Sequence, residues 1–178
     1  MEYHLLTYSL LFLPIVIVLY QIVPQKYRCA VLLAADYLFF WMVSKWLIVF
    51  FLIATVATYG IGLWLSHVVE HATVKGKQLT KKKRQVLAVG IAITLSMLVA
   101  FKYLKVFGIG LKWVAPIGIS YYTLQTISYM TDVYRGVVKA DRNFVRVALY
   151  LSFFPQIMEG PICRYGETAQ ALFAGAPV

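Results

Sequence analysis

Four groups of residues in this sequence have types and spacings that chemistry can use. In His67-Val68-Val69-Glu70-His71 the two histidines lie four apart. On a helix they share a face, where two imidazoles can hold a zinc ion with Glu70 as the base. No third ligand lies nearby in sequence, so the preferred reading is a helix end running into a basic loop, with no metal bound. A second group, Tyr121, Gln125, Ser128, Asp132 and Arg135, steps by four, three, four and three through an apolar stretch. That spacing places all five on one face of a helix. A third group, Pro155, Gln156, Glu159, Gly160, Pro161 and Arg164, combines helix breakers with polar and charged side chains. Cys29 and Cys163 form the fourth. Either thiol can carry an acyl group in principle, but a buried, inert cysteine is the commoner state, and two cysteines make neither a disulfide framework nor a zinc pattern.

These residues sit in a chain that water cannot surround. Of its 178 residues 61% are hydrophobic and 13% charged, against about 45–50% and ~25% in soluble domains. A soluble protein of this size has no interior large enough for so much apolar surface, and disorder requires the opposite composition. The net charge is +10, and six of the 17 basic residues fall between Lys75 and Arg84. In so apolar a chain that run reads as a cytoplasmic loop beside a membrane, touching anionic lipid at most, and not as a nucleic-acid site. The N-terminus, Met-Glu-Tyr-His, lacks the cationic start of a signal peptide, so the first apolar run is expected to be a retained helix.

Apolar runs recur between polar breaks: 5–23, 29–43, 46–66, 86–101, 114–134 and 144–158. The second is short and carries Asp36, and the fifth is rich in Ser, Thr, Tyr and Gln. Unbroken apolarity through Leu47–Val56 contradicts the alternation of a β-barrel. The expectation is an all-α, polytopic integral membrane protein of about six segments. With the N-terminus outside, the loops holding Lys26 and Arg28, the stretch 67–84, and Arg135, Lys139, Arg142 and Arg146 all fall in the cytoplasm. Lys45, Lys102, Lys105, Lys112 and Arg164 fall at the outer side in this layout.

A polar stripe on a membrane helix must face the bundle interior or a wet cavity. The plain alternative for 121–135 is interhelical hydrogen bonding, worth about 0.6 kcal/mol per pair, with Asp132 paired to Arg135. Around 155–164, broken backbone at membrane depth survives only where protein buries it or a cavity lines it. Glu159 and Arg164 are then candidate cavity charges, unless the segment simply ends at the outer interface.

The motif Pro116-Ile117-Gly118-Ile119-Ser120-Tyr121-Tyr122-Thr123-Leu124-Gln125, with Ser128-Tyr129 and Asp132-x-Tyr134-Arg135-Gly136, resembles the membrane-bound O-acyltransferase (MBOAT) family. So does Ala148-Leu149-Tyr150 through Phe154-Pro155-Gln156 and Gly160-Pro161-Ile162-x-Arg164-Tyr165. The similarity is to the branch that acetylates alginate or D-alanylates lipoteichoic acid. Upstream pieces, Asp36-Tyr37-Leu38-Phe39-Phe40 and Phe101-Lys102-Tyr103, fit less specifically. The resemblance implies helices around a tunnel, a thioester donor (acyl-CoA or acyl-carrier protein) from the cytoplasm, and an acceptor hydroxyl on a cell-surface or exported glycopolymer from the other side. It implies no bound cofactor, and a plasma-membrane location beside an extracytoplasmic acyltransferase partner protein.

In the resemblance, Gln125, Asp132, Pro155, Gln156, Gly160, Pro161 and Arg164 match positions that shape the tunnel, while Glu159 stands where relatives often carry a small or apolar residue. The family's base is a histidine in its C-terminal half. The histidines here, His4, His67 and His71, lie outside any matching context. Residues 1–178 are therefore expected to form the N-terminal half of such an enzyme, with a basic loop at 67–84 and the motif region at 116–165. The C-terminal half would be the missing partner, and this chain alone would be inactive. A hydroxyl attacking a thioester needs a base within about 2.6–3.2 Å, and Asp132 or Glu159 serves only if the fold puts it there. A different class, a small multi-pass transporter or scaffold, would use the same stripe and broken helix as a substrate path. The layout predicts that a reporter inserted after Lys77 in membrane vesicles is reached only from the cytoplasmic face; access from the outer face alone would reverse the orientation.

Overall fold

Apolar runs free of turn residues satisfy their backbone groups most readily within themselves, as helices. The computed structural model describes residues 2–43, 47–70, 77–103, 118–158 and 163–173. Within these every regular element is helical: α1 (Glu2–Ile22), α2 (Gln25–Val43), α3 (Leu47–Glu70), α4 (Lys77–Tyr103), α5 (Ile119–Arg135), α6 (Phe144–Ser152), α7 (Phe154–Met158) and α8 (Tyr165–Phe173). The all-α expectation is met among the described residues.

Local chemistry sets the ends. Pro24 cannot continue α1, and the side chain of Arg28 reaches back to donate to the Val23 carbonyl at 3.2 Å while lying over the Tyr20 ring. Gly136 stops α5 in the left-handed region at φ 74°. There its N–H donates to the Val133 carbonyl at 3.1 Å, and the N–H of Val137 donates to the Asp132 carbonyl at 3.0 Å, a Schellman ending. Asn143 caps α6 by accepting from the N–H of Val145 at 3.0 Å.

Paired contacts give the directions of packing. Phe12 meets Phe39, and Phe40 meets Phe51, so α1, α2 and α3 run alternately up and down. Tyr122 meets Thr55, and Tyr129 meets Gly62, so α5 runs parallel to α3. Small residues permit the approach of α3, α4 and α5: a Cβ on Gly62 would lie 3.1 Å from the Tyr129 ring, and one on Gly90 only 2.8 Å from Met130 Sδ. Aromatic rings tie the other side. Phe154 packs on Phe39 at 4.9 Å and on Phe12 at 5.6 Å. The series continues through Phe40, Phe51 and Tyr122 into α5.

This alternation gathers Lys26, Arg28, Lys81, Lys82, Lys83, Arg84, Arg135, Lys139, Arg142 and Arg146 at one end of the bundle, with Lys102 at the other. Arg164 departs from its expected place at the end opposite Arg142 and Arg146. Tyr150 holds the Cys163 carbonyl at 2.9 Å and Asp141 holds the Tyr165 hydroxyl at 2.7 Å, so the chain has turned back toward the cationic end by residue 163. A second difference concerns 144–158, expected as one run. It breaks at Phe153, before Pro155, into α6 and α7. Two described helices are long and apolar enough to cross a membrane, Phe51–Val69 and Leu79–Ala100, and shorter apolar stretches are Leu10–Ile22 and Phe144–Ile157.

Gly118 begins α5 at φ 85°, and a Cβ there would collide with Ile157 Cγ2 of α7. Gly118→Ala is expected to lower stability by about 2–4 kcal/mol, from left-handed strain plus overpacking. At Gly60 a Cβ meets nothing within 4 Å, and Gly60→Ala is expected to raise stability by about 0.5–1 kcal/mol. Thermal unfolding in detergent distinguishes the two.

Candidate functional site

Pro155 determines where the site forms. It has no N–H, and its ring clashes with the carbonyl four residues back, so the helix cannot run through it smoothly. The chain leaves helical geometry at Phe153, with φ −56° and ψ 102°. The break frees the N–H of Phe154 and carbonyls of the last turn of α6, all inside the bundle, where an unpaired polar group costs about 1–3 kcal/mol. Two neighbouring helices send side chains to it. From α2, Asp36 is fully buried, and its Oδ1 accepts the Phe154 N–H at 3.2 Å. From α5, Gln125 donates through Nε2 to the Tyr150 carbonyl at 3.3 Å and to Gln156 Oε1 at 3.0 Å. Ser152 turns back on its own helix, donating to the Ala148 carbonyl at 2.8 Å.

The polar seam continues from the break toward the cationic end. Tyr129, Tyr150 and Tyr165 form a three-ring cluster, with centroids 6.2, 5.0 and 5.0 Å apart. Their hydroxyls bond outward: Tyr150 to the Cys163 carbonyl, Tyr165 to Asp141 Oδ2, and Tyr129 as acceptor from the Asp141 N–H at 3.2 Å. Asp141 also accepts the Asn143 N–H at 2.7 Å, and Arg146 lies 3.9 Å from it. Burial, reinforced by the Asp141 carboxylate, pushes the Tyr165 phenol well above its usual range and keeps it a donor. Asp132 is buried on α5 with Oδ2 unpartnered, as are Thr126 Oγ1 and Thr168 Oγ1. A second buried pair, Thr55 Oγ1 and Tyr122 OH at 2.7 Å, joins α3 to α5.

Of the stripe predicted on α5, Gln125, Ser128 and Asp132 turn inward, whereas Tyr121 and Arg135 are exposed. The periodicity is right for the middle of the helix and fails at its ends, where no neighbouring element covers those two. The expected pairing of Asp132 with Arg135 gives way to a buried carboxylate beside an exposed cation. Pro155 and Gln156 lie at the break, and Arg164 is exposed beside Tyr165. Glu159, Gly160, Pro161 and His71 lie outside the described residues, so the His67–His71 pattern has only its first histidine in view, exposed near the end of α3. Among the described residues no group of three metal-binding side chains converges. Sequence reasoning undervalued Asp36, Tyr150 and Asp141. A lone carboxylate in an apolar run was the available signal for Asp36; the others become visible only once their partners are known. What is assembled is a set of amides, phenols and carboxylates able to orient a carbonyl or a hydroxyl by hydrogen bonds.

No family model and no solved structure matches the chain. Curated proteins do. Over 177 residues the chain is 35% identical to a probable alginate O-acetylase AlgI of Pseudomonas syringae pv. tomato, an alignment covering 89% of this chain and 32% of the relative. Over 175 residues it is 35% identical to a probable alginate O-acetylase AlgI of Azotobacter vinelandii, covering 88% and 33%. A peptidoglycan O-acetyltransferase of Helicobacter pylori is 30% identical over 120 residues, covering 48% and 23%. The chain thus spans about a third of the length of the alginate O-acetylase relatives it matches.

Replacing Gln125 by Leu leaves the Tyr150 carbonyl and the Gln156 amide buried without their donor. The expected loss is about 1–3 kcal/mol of stability, read as a lower unfolding midpoint in detergent; an unchanged midpoint would show that the break is satisfied without Gln125.

Proposed function

We propose that this chain belongs to the membrane-bound O-acyltransferase family and forms part of a multi-pass plasma-membrane enzyme that esterifies sugar hydroxyls of an exported glycopolymer; its 35% identity to probable alginate O-acetylases supports the reading. The observation that carries the reading is the helix break at Phe153, where Asp36, Gln125 and Gln156 meet in a bundle this apolar. The relatives' names favour acetyl transfer to a polysaccharide over D-alanyl transfer to teichoic acid, and over a small transporter or scaffold. The proposed donor is a thioester on coenzyme A or an acyl-carrier protein. In the reaction the acceptor oxygen attacks the thioester carbonyl, a C–O bond forms and the C–S bond breaks. The hydroxyl proton passes to a base, and the thiolate leaves. General bases must lie within hydrogen-bond reach of the proton they take; we assign that role to a histidine supplied by the rest of the enzyme. The seam's part is to position, with Gln125, Asp132 and Gln156 flanking the path.

The gathering of cationic residues at one end supports the orientation read from the sequence, with that end cytoplasmic and the N-terminus outside. It makes the cationic end the side of donor entry, with an acyl-carrier protein and an extracytoplasmic acyltransferase as proposed partners. A chimaera tests the function: these 178 residues replace the matching third of the Pseudomonas syringae protein, and membranes are assayed for alginate ester from an acetyl thioester. Ester above a no-protein control is expected from the chimaera and none from the 178-residue chain alone. A chimaera that inserts at full level yet forms no ester would overturn the reading, and ester from the short chain would overturn the outside histidine.

A further inference from the structure

Asp36 lies on α2, some eighty residues before the motif region in which the family resemblance is specific. It is 0% exposed: Oδ1 accepts the Phe154 N–H, the Ser152 hydroxyl lies beside the carboxyl, and Oδ2 is buried without a hydrogen-bond partner. An apolar side chain at that position would avoid desolvating a carboxyl. The carboxyl is useful there because an acceptor is needed opposite the helix break. Three residues on, Phe39 stacks against the ring of the same Phe154 at 4.9 Å. One face of α2 thus grips the first residue of α7 through both its backbone and its ring. Gln156 follows two residues later, and its Oε1 is held by Gln125. The Gln156 and Ile157 N–H groups both donate to the Phe153 carbonyl, at 3.1 and 3.2 Å, so this short turn moves as a unit with Phe154.

We propose that Asp36 is a positioning residue for acyl transfer: by accepting the Phe154 N–H it holds the α6–α7 break in the one geometry that presents Gln156 to Gln125. The proposal rests on the acyltransferase reading for its functional half and on hydrogen bonding alone for its structural half. What matters in Asp36 is an acceptor at the right reach; its charge is dispensable. Asp36→Asn keeps that acceptor, Asp36→Leu removes it with the same branching at Cγ but a larger side chain, and Asp36→Ser removes it with a smaller, polar side chain too short to reach.

Hydrogen–deuterium exchange of the 178-residue chain in detergent micelles reads the Phe154 amide directly. Wild type and Asp36→Asn are expected to protect it to within about threefold of each other, and Asp36→Leu to speed its exchange roughly tenfold or more. Equal protection in Asp36→Leu, or exchange in Asp36→Asn as fast as in Asp36→Leu, overturns the proposal. Should Asp36→Leu fail to accumulate, Asp36→Ser takes its place under the same two outcomes. In the chimaera, Asp36→Leu is expected to lower kcat about tenfold with KM held, and Asp36→Asn to restore it. Loss of kcat in Asp36→Asn with the amide still protected would make the charge the active element and overturn the positioning role. A wild-type chimaera without activity would remove the acyltransferase reading, while the exchange result would still decide the hydrogen bond.

Discussion

The structure depends on how an interrupted helix is satisfied where water is scarce. Pro155 forces the interruption, and the freed N–H of Phe154 and carbonyl of Tyr150 require partners from elsewhere in the chain. Asp36 and Gln125 supply them. That requirement couples α2 and α5 to α6 and α7 by directional bonds. Apolar packing alone would leave those helices free to slide and rotate, because lipid tails compete with it on equal terms.

The remaining contacts make this coupling rigid. Glycines let α3, α4 and α5 approach until the Tyr129 ring and Met130 touch the facing helix. On the other side a run of rings from Phe12 to Tyr122 fills the space between α1, α2, α3 and α7. Gly118 adds a close approach of backbone to Ile157, so the start of α5 and the end of α7 are set against each other. The break is consequently enclosed by surfaces that cannot accommodate an alternative arrangement without collision or an unpaired polar group. Such enclosure fixes the polar side chains around the break in one arrangement.

The cationic end adds direction. Basic residues from four separate stretches meet there because the helices alternate, and the tyrosine cluster with Asp141 braces the loop that carries Lys139 and Arg142. An anion approaching from that side would meet the concentrated charge first. From there the seam runs inward past Asp132 and Ser128 to Gln125 and the break.

Much of this was legible in the sequence. Apolarity and the absence of alternation pointed to the helices seen throughout the described residues, the polar break after the run 5–23 marked the end of α1, and the spacing of Gln125, Ser128 and Asp132 placed them on one inward face. Those features depend on neighbours close along the chain, where backbone sterics and helical periodicity act. Tertiary structure decided the rest. Tyr121 and Arg135 share the stripe's period yet stay exposed, because exposure depends on which element lies opposite. Pro155 forces a break that falls at Phe153, and the acceptor for the freed N–H of Phe154 comes from Asp36, over a hundred residues away, a partner no local pattern names. Arg164 returns to the cationic end because Tyr150 and Asp141 hold its neighbours there. A sequence states each residue's capacity to bond and its local period; which donor meets which acceptor across the bundle is settled only when the helices have packed.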